Sequence, residues 1–238
     1  MSTSSSLVQR YPWLPYVAPF AAYMGFIVLD GAITQGAELG LLPHHWTTTG
    51  HLWLYPVKIA VVVALLWHYR HHYPELSLPA HPLRDGLLSV AVGILVFGLW
   101  IQMDWPFATM GDGAEGYNPY QDTGGGMAAL LIGIRLAGAA LVVPLFEELF
   151  WRGFIMRYLV HPDFKNVPIG TFTWVSFVAT SVLFGVEHHL WLAGIMAGAA
   201  YGGLLLFCRN LTGPILAHGV TNLLLGIWVL NTEKWGFW

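Results

Sequence analysis

Three short stretches carry polar groups of catalytic type inside otherwise apolar sequence: Glu147-Glu148 with Arg152, Phe184 with His188, and His218 with Asn222. A charged group in hydrocarbon costs at least a few kcal/mol, so it persists there only when paired, buried in protein or put to use. Glu148 and Arg152 are four residues apart, share a helix face and can pair. Glu147 projects about 100° away from Glu148, given about 3.6 residues per turn. One carboxylate can thus be held by the arginine while its neighbour is free for chemistry. The competing reading is a buried ion pair that only fixes helix packing. Phe184 and His188 are also spaced by four, as are His218 and Asn222, so each pair shares a face. Taken singly, either histidine could simply bond a neighbouring helix. Taken together, two glutamates, an arginine, two histidines and an asparagine exceed what packing three spans requires.

The residue types suit amide hydrolysis. A carboxylate and a histidine can hold and deprotonate a water. A second histidine and an asparagine amide can donate hydrogen bonds to the oxyanion of a tetrahedral intermediate. Serine and cysteine nucleophile signatures are absent, and so is the H-E-x-x-H zinc helix. Zinc stays open as an alternative, because Glu147, His188 and His218 make up the two-histidine, one-carboxylate set of known catalytic sites.

These residues must be positioned by membrane helices. The 238-residue chain is 56% hydrophobic, 15% aromatic and only 10% charged, with a mean hydropathy of +0.58. Soluble domains carry about a quarter charged residues, so the expected class is an all-α polytopic membrane bundle in one domain, residues 1–238. The net charge of −3 comes with no basic patch to bind nucleic acid. A lone cysteine, Cys208, excludes an internal disulfide and reads as packing. The first ten residues lack the basic-then-apolar order of a cleaved signal peptide, so the chain is expected to be retained whole.

A bilayer core of about 30 Å needs roughly 20 apolar residues as helix. Seven spans are expected on that basis, at 13–33, 51–69, 86–103, 128–150, 170–187, 190–208 and 214–231, with six or eight as alternatives. Trp13, Trp46, Trp53, Trp67, Trp100, Trp105, Trp235 and Trp238 cluster near their ends, as an interfacial belt does. Segments 34–50 and 104–127 contain no Lys or Arg, whereas Arg10, Arg70, Arg84, Arg157, Lys165 and Arg209 fall on the other side, which predicts a cytoplasmic N-terminus. Lys234 is the exception. The helix through the glutamates is expected to run on to about residue 159, which sets Glu147 well below the cytoplasmic surface.

The remaining polar features read as structure first. Asp30 and Lys58 lie near the outer ends of their spans and are expected to snorkel; Arg135 lies deeper and calls for a partner in the bundle. The glycine-rich 104–127 loop reads as a flexible external connection. Its Asp104, Asp112, Glu115 and Asp122 lack calcium-loop spacing. Gly194, Gly198 and Gly202 form a close-packing stripe. His68, His71 and His72, like His44 and His45, offer metal ligands but fit a membrane edge better.

In their order on separate spans, E-E-x-x-x-R, F-x-x-x-H and H-x-x-x-N resemble the motifs of the CAAX protease and bacteriocin-processing membrane proteases. The resemblance covers about residues 128–231, the expected catalytic core; the first three spans match only as generic helices. It implies that Glu147 activates water with the help of His188, and that Glu148 and Arg152 pair to orient the site. It further implies that His218 and Asn222 stabilise the oxyanion, that Phe184 shapes the pocket, and that no metal is needed. Glu187 and His189 flank His188 and depart from the pattern; His188 is preferred because it alone keeps the spacing to Phe184. Glu-Glu-Leu-Phe-Trp-Arg-Gly-Phe with Glu-His-His-Leu-Trp-Leu-Ala-Gly also resembles a bacterial, exosortase-associated branch. That branch implies a Gram-negative inner membrane and protein-sorting tails as substrates.

The expected activity is therefore intramembrane endoproteolysis of a membrane-associated protein or peptide. Two rivals remain: a peptide-binding or immunity protein of the same fold without hydrolysis, and a small proton-coupled transporter using Glu147 and His188 as a relay. The absence of a clear inverted repeat argues against the transporter.

Overall fold

The computed structural model describes residues 3–43, 46, 49–111, 116, 118–121 and 123–237. His44, His45, Asp112, Gly113, Glu115, Asp122 and Trp238 lie outside them, so the structure does not address the histidine pair or three of the four loop acids. The described residues form helices and no strand. In chain order these are α1 (Thr3–Arg10), α2 (Leu14–Glu38), α3 (Thr49–Tyr69), α4 (Pro82–Trp100), α5 (Gly125–Tyr158), α6 (Trp174–Val186), α7 (Trp191–Cys208) and α8 (Thr212–Thr232). Among the described residues, six helices are long and apolar enough to cross a membrane: α2, α3, α4, α5, α7 and α8. The protein is an all-α polytopic membrane bundle.

The fifth expected span falls short of a crossing. Helix α6 has 13 residues. Thr173 and Ser176 open it with a reciprocal capping box, and His188 closes it. In a continuing α-helix the His188 N–H would donate to the Phe184 carbonyl. Here that N–H donates to Gly185 O at 3.0 Å, while the His188 ring takes Phe184 O through Nδ1 at 2.7 Å. The side chain that the motif supplies replaces the backbone bond and ends the helix.

Helix α5 is not a uniform α-helix either. Wider π turns occupy Gly138–Val142 and Leu149–Ile155, on either side of the two glutamates. Such turns are rare and occur most often at functional sites.

The chain divides into two compact units. The first comprises residues 1–72 and 117–138: α1, α2, α3 and the start of α5. Its cations are housed by aromatic rings. Lys58 is 9% exposed, with Nζ 4.0 Å from the centroid of Tyr23 and 5.0 Å from that of Tyr55. Expected to snorkel, Lys58 is instead buried in the unit, where desolvated ammonium–ring contacts are favourable. The Arg135 guanidinium lies over the same Tyr55 ring at 4.4 Å, which names its partner.

The second unit comprises residues 73–116 and 139–238, holding α4, the rest of α5, and α6 to α8. Helix α4 packs along α8, and α6 along α7. The α6–α7 contact uses the expected glycine stripe: a Cβ on Gly194 would lie 2.8 Å from Gly185 Cα, and one on Gly198 would lie 3.0 Å from Ser181 Cα. Part of the 104–127 loop is tethered. Met110 N–H donates to His189 O at 2.8 Å, the His189 ring bonds Met110 O, and Trp191 Nε1 donates to Phe107 O at 3.3 Å.

In the last turn of α5, Arg157 clamps the chain. Its guanidinium donates to the carbonyls of Gly153, Lys165 and Val167 and pairs with Glu75 at 2.5 Å. Both partners are buried. Arg157→Ala strips a buried carboxylate of its guanidinium and three carbonyls of their donor, and should cost about 3–5 kcal/mol. A thermal-unfolding midpoint in detergent that does not fall would contradict this.

Candidate active site

All seven motif residues lie in the second unit. At its centre is Arg152, with the Arg152 side chain 1% and the Glu148 side chain 0% exposed. Arg152 Nη1 donates to Glu148 Oε1 at 3.0 Å, and Nη2 donates to the Gly198 carbonyl of α7 at 2.9 Å. The guanidinium carbon lies 4.5 Å from the centroid of the Phe184 ring and 5.7 Å from that of Tyr201. A charge so thoroughly removed from water is tolerated because ion pair, carbonyl and ring faces all meet it.

Glu148 Oε1 also faces His218 Nδ1 at 3.1 Å. The His218 ring stacks on Tyr201 (5.0 Å, 18°) and meets the edge of Phe184 at 5.8 Å. Tyr201 is fixed in turn by donating to Thr221 Oγ1 at 2.8 Å, and Thr221 ties α8 to the Gly93 carbonyl of α4 at 3.0 Å. One turn beyond His218, Asn222 Nδ2 donates to Ala139 O at 2.9 Å. The residue five beyond Ala139 is Pro144, which has no N–H to give in the π register. Asn222 supplies the missing donor and has a second amide hydrogen to use elsewhere. Helix α8 approaches this closely because of Gly219, where a Cβ would lie 2.7 Å from Ala140 O.

Glu147, Glu187 and His188 form the second cluster. One ligand atom from each lies within 4.8 Å of the others, the one such group of potential metal ligands among the described residues. Glu147 is 7% exposed, and its Oε2 is buried with no hydrogen-bond partner among the described residues. Trp151 Nε1 donates to Glu187 Oε1 at 2.8 Å. Because a carbonyl can only accept, the His188 Nδ1 facing Phe184 O carries a proton, and neutral imidazole then has its lone pair on Nε2. Phe184 (4.8 Å) and Trp100 (5.4 Å) flank the ring.

The structure thus gathers Glu148, Arg152, His218 and Phe184 in one network and Glu147 with His188 beside it. The alternative zinc set of Glu147, His188 and His218 is not what converges: His218 turns to Glu148, and Glu187 stands with Glu147 and His188 instead. His189 bonds Met110 of the 104–127 loop. Sequence reasoning took Glu187 only as a departure from the motif and Trp100 only as an interfacial residue, and it passed over Trp151 and Tyr201. Only Glu187 carried a signal, as the one acid in an apolar span. Trp100 lies on α4, outside the 128–231 stretch.

Acids, an arginine and histidines buried among apolar helices mark this cluster as the candidate functional site of the bundle. Residues 129–224, which hold every one of these motifs, match the family described as type II CAAX prenyl endopeptidase Rce1-like. That stretch is similar to the CAAX protease and bacteriocin-processing membrane proteases. Comparison with curated proteins and with solved structures found no match.

Arg152→Met should destabilise the second unit by about 3–5 kcal/mol, because it strands the buried Glu148 carboxylate. Adding Glu148→Gln should recover part of that loss. Unfolding midpoints of the single and double variants in detergent check the coupling, and equal midpoints for the two would contradict it.

Proposed function

We propose that the protein is a glutamate-type intramembrane endopeptidase, hydrolysing a peptide bond of a membrane-associated protein or peptide without a metal. The observation that carries this reading is the convergence of Glu147 and His188 beside the buried Glu148–Arg152–His218 network. Glu147 has a buried carboxyl oxygen with no hydrogen-bond donor among the described residues, and His188 has its Nε2 as acceptor. Together they can seat a water and take its proton as the water oxygen attacks the scissile carbonyl carbon. Delivery of a proton to the leaving nitrogen, with cleavage of the C–N bond, gives the acid and the amine.

His218 and Asn222 are the oxyanion donors in this reading. Asn222 acts through the amide hydrogen that does not bond Ala139. His218 can donate from Nε2 when the proton between Nδ1 and Glu148 Oε1 sits on Glu148, or when the ring carries both protons. Glu148 and Arg152 orient the ring in either case. The charge pattern of the loops supports a cytoplasmic N-terminus, and the exosortase-associated likeness supports a bacterial inner membrane.

Purified protein in detergent, offered a quenched fluorogenic peptide library, should cleave at least one peptide. Glu147→Gln and His188→Ala should each lower kcat about 10²–10⁴-fold, and a chelator should leave the wild type unchanged. Chelator inactivation reversed by zinc would replace the water-only mechanism with a zinc-bound one. A native partner bound equally by wild type and Glu147→Gln, and cut by neither, would replace hydrolysis with binding.

A further inference from the structure

We propose that Glu187 is a second carboxyl of the hydrolytic centre, contacting the attacking water together with Glu147 and His188. This rests on the hydrolytic reading above and adds to it a residue outside the three motifs. Glu187 lies next to the histidine that ends α6, and its carboxyl is aimed by Trp151, whose Nε1–H donates to Oε1 at 2.8 Å. Trp151 lies on the π turn Leu149–Ile155, one residue before Arg152. The same turn that carries the buried arginine therefore also fixes the second acid.

The geometry points to a shared small donor. Glu147, 7% exposed, has its Oε2 buried without a hydrogen-bond partner among the described residues, while one atom each of Glu147, Glu187 and His188 falls within 4.8 Å of the others. Burying an acceptor without a donor costs about 1–3 kcal/mol, so a donor belongs there. A water with hydrogen bonds of about 2.8 Å spans acceptors up to about 5.6 Å apart, so one molecule reaches all three. Such a water has two hydrogens for three acceptors. His188 cannot fill the gap in its neutral form, since its one ring proton is committed to Phe184 O. A carboxyl can, because in its protonated form it donates to the water oxygen. Glu187, anchored through one oxygen, has the other available for this role.

The proton account closes. As the water oxygen bonds the carbonyl carbon, its O–H breaks and the proton passes to Glu147. The proton on Glu187 passes to the leaving nitrogen as the C–N bond breaks. Return of the Glu147 proton to Glu187 restores the site, with no oxidant or co-reactant beyond water.

The test uses the full chain in detergent and the library peptide that the wild type cuts fastest. Glu187→Gln keeps an oxygen that can accept from Trp151 but cannot carry the proton. It should lower kcat about 10²-fold or more with KM within about threefold of wild type, at an unchanged unfolding midpoint, and Glu187→Asp should recover part of the rate. Wild-type kcat in Glu187→Gln, with Glu147→Gln inactive, overturns the proposal and leaves the hydrolytic reading standing. Glu187 would then only prop Trp151, a role that Glu187→Ala and Trp151→Phe would disturb. Activity that survives Glu147→Gln overturns both, and chelator loss restored by zinc overturns the proposal by making Glu187 a ligand. A second measurement needs no substrate: carbodiimide modifies protonated carboxyls in apolar sites, and mass spectrometry should find it on Glu187 or Glu147. Label on neither overturns the shared proton whatever the library shows.

Discussion

The second unit depends on one buried guanidinium. The Arg152 side chain is only 1% exposed, so its two Nη groups find acceptors in the protein, and those acceptors come from different helices. Glu148 lies on the arginine's own helix, Gly198 O on α7, and the Phe184 ring on α6. His218 of α8 reaches the charge through Glu148. Four helices therefore meet at a single cation, and no one of them can shift without stripping it of a partner. The same bonding separates the roles of the two adjacent glutamates. Each has a buried Oε2 without a donor among the described residues, but Glu148 is anchored through Oε1 to Arg152 and His218, whereas Glu147 stands with Glu187 and His188.

Local departures from regular helix serve that arrangement. Pro144 withholds a backbone donor, and Asn222 steps in at Ala139, which binds α8 to α5 beside the glutamates. His188 withdraws the Phe184 carbonyl from the backbone ladder and ends α6 at the site. The π turn at Leu149–Ile155 carries both Trp151 and Arg152, sending one to Glu187 and the other to Glu148. In the first two cases the interrupted backbone bond is replaced by a motif side chain, as the apolar surroundings require.

Much of this was legible in the sequence, because period and polarity are local properties. The 3.6-residue repeat puts Glu148 over Arg152, and hydrophobic runs of span length mark six of the helices. The glycine stripe of α7 announced its close approach to α6. What was not legible depends on register and on distant partners. Nothing around Gly138 or Leu149 announces an i→i−5 turn. The shortness of α6 follows from a ring-to-carbonyl bond that hydropathy does not register. Lys58 read as a snorkelling residue, because its aromatic cage draws Tyr23 from another helix. Glu187 read as a departure from a motif until Trp151, 36 residues earlier, was seen to hold it.

The 13 residues of α6 carry a consequence for the lipid. At about 1.5 Å per residue such a helix rises about 20 Å, some 10 Å less than the hydrocarbon it faces. Acyl chains alongside must shorten, or headgroups must sink, to meet the polar Glu187–His189 turn at its end. Hydrophobic mismatch at that flank would thus bring the aqueous boundary inward toward His188. Bilayer thickness would then govern how water arrives at the site, and thicker membranes would starve it.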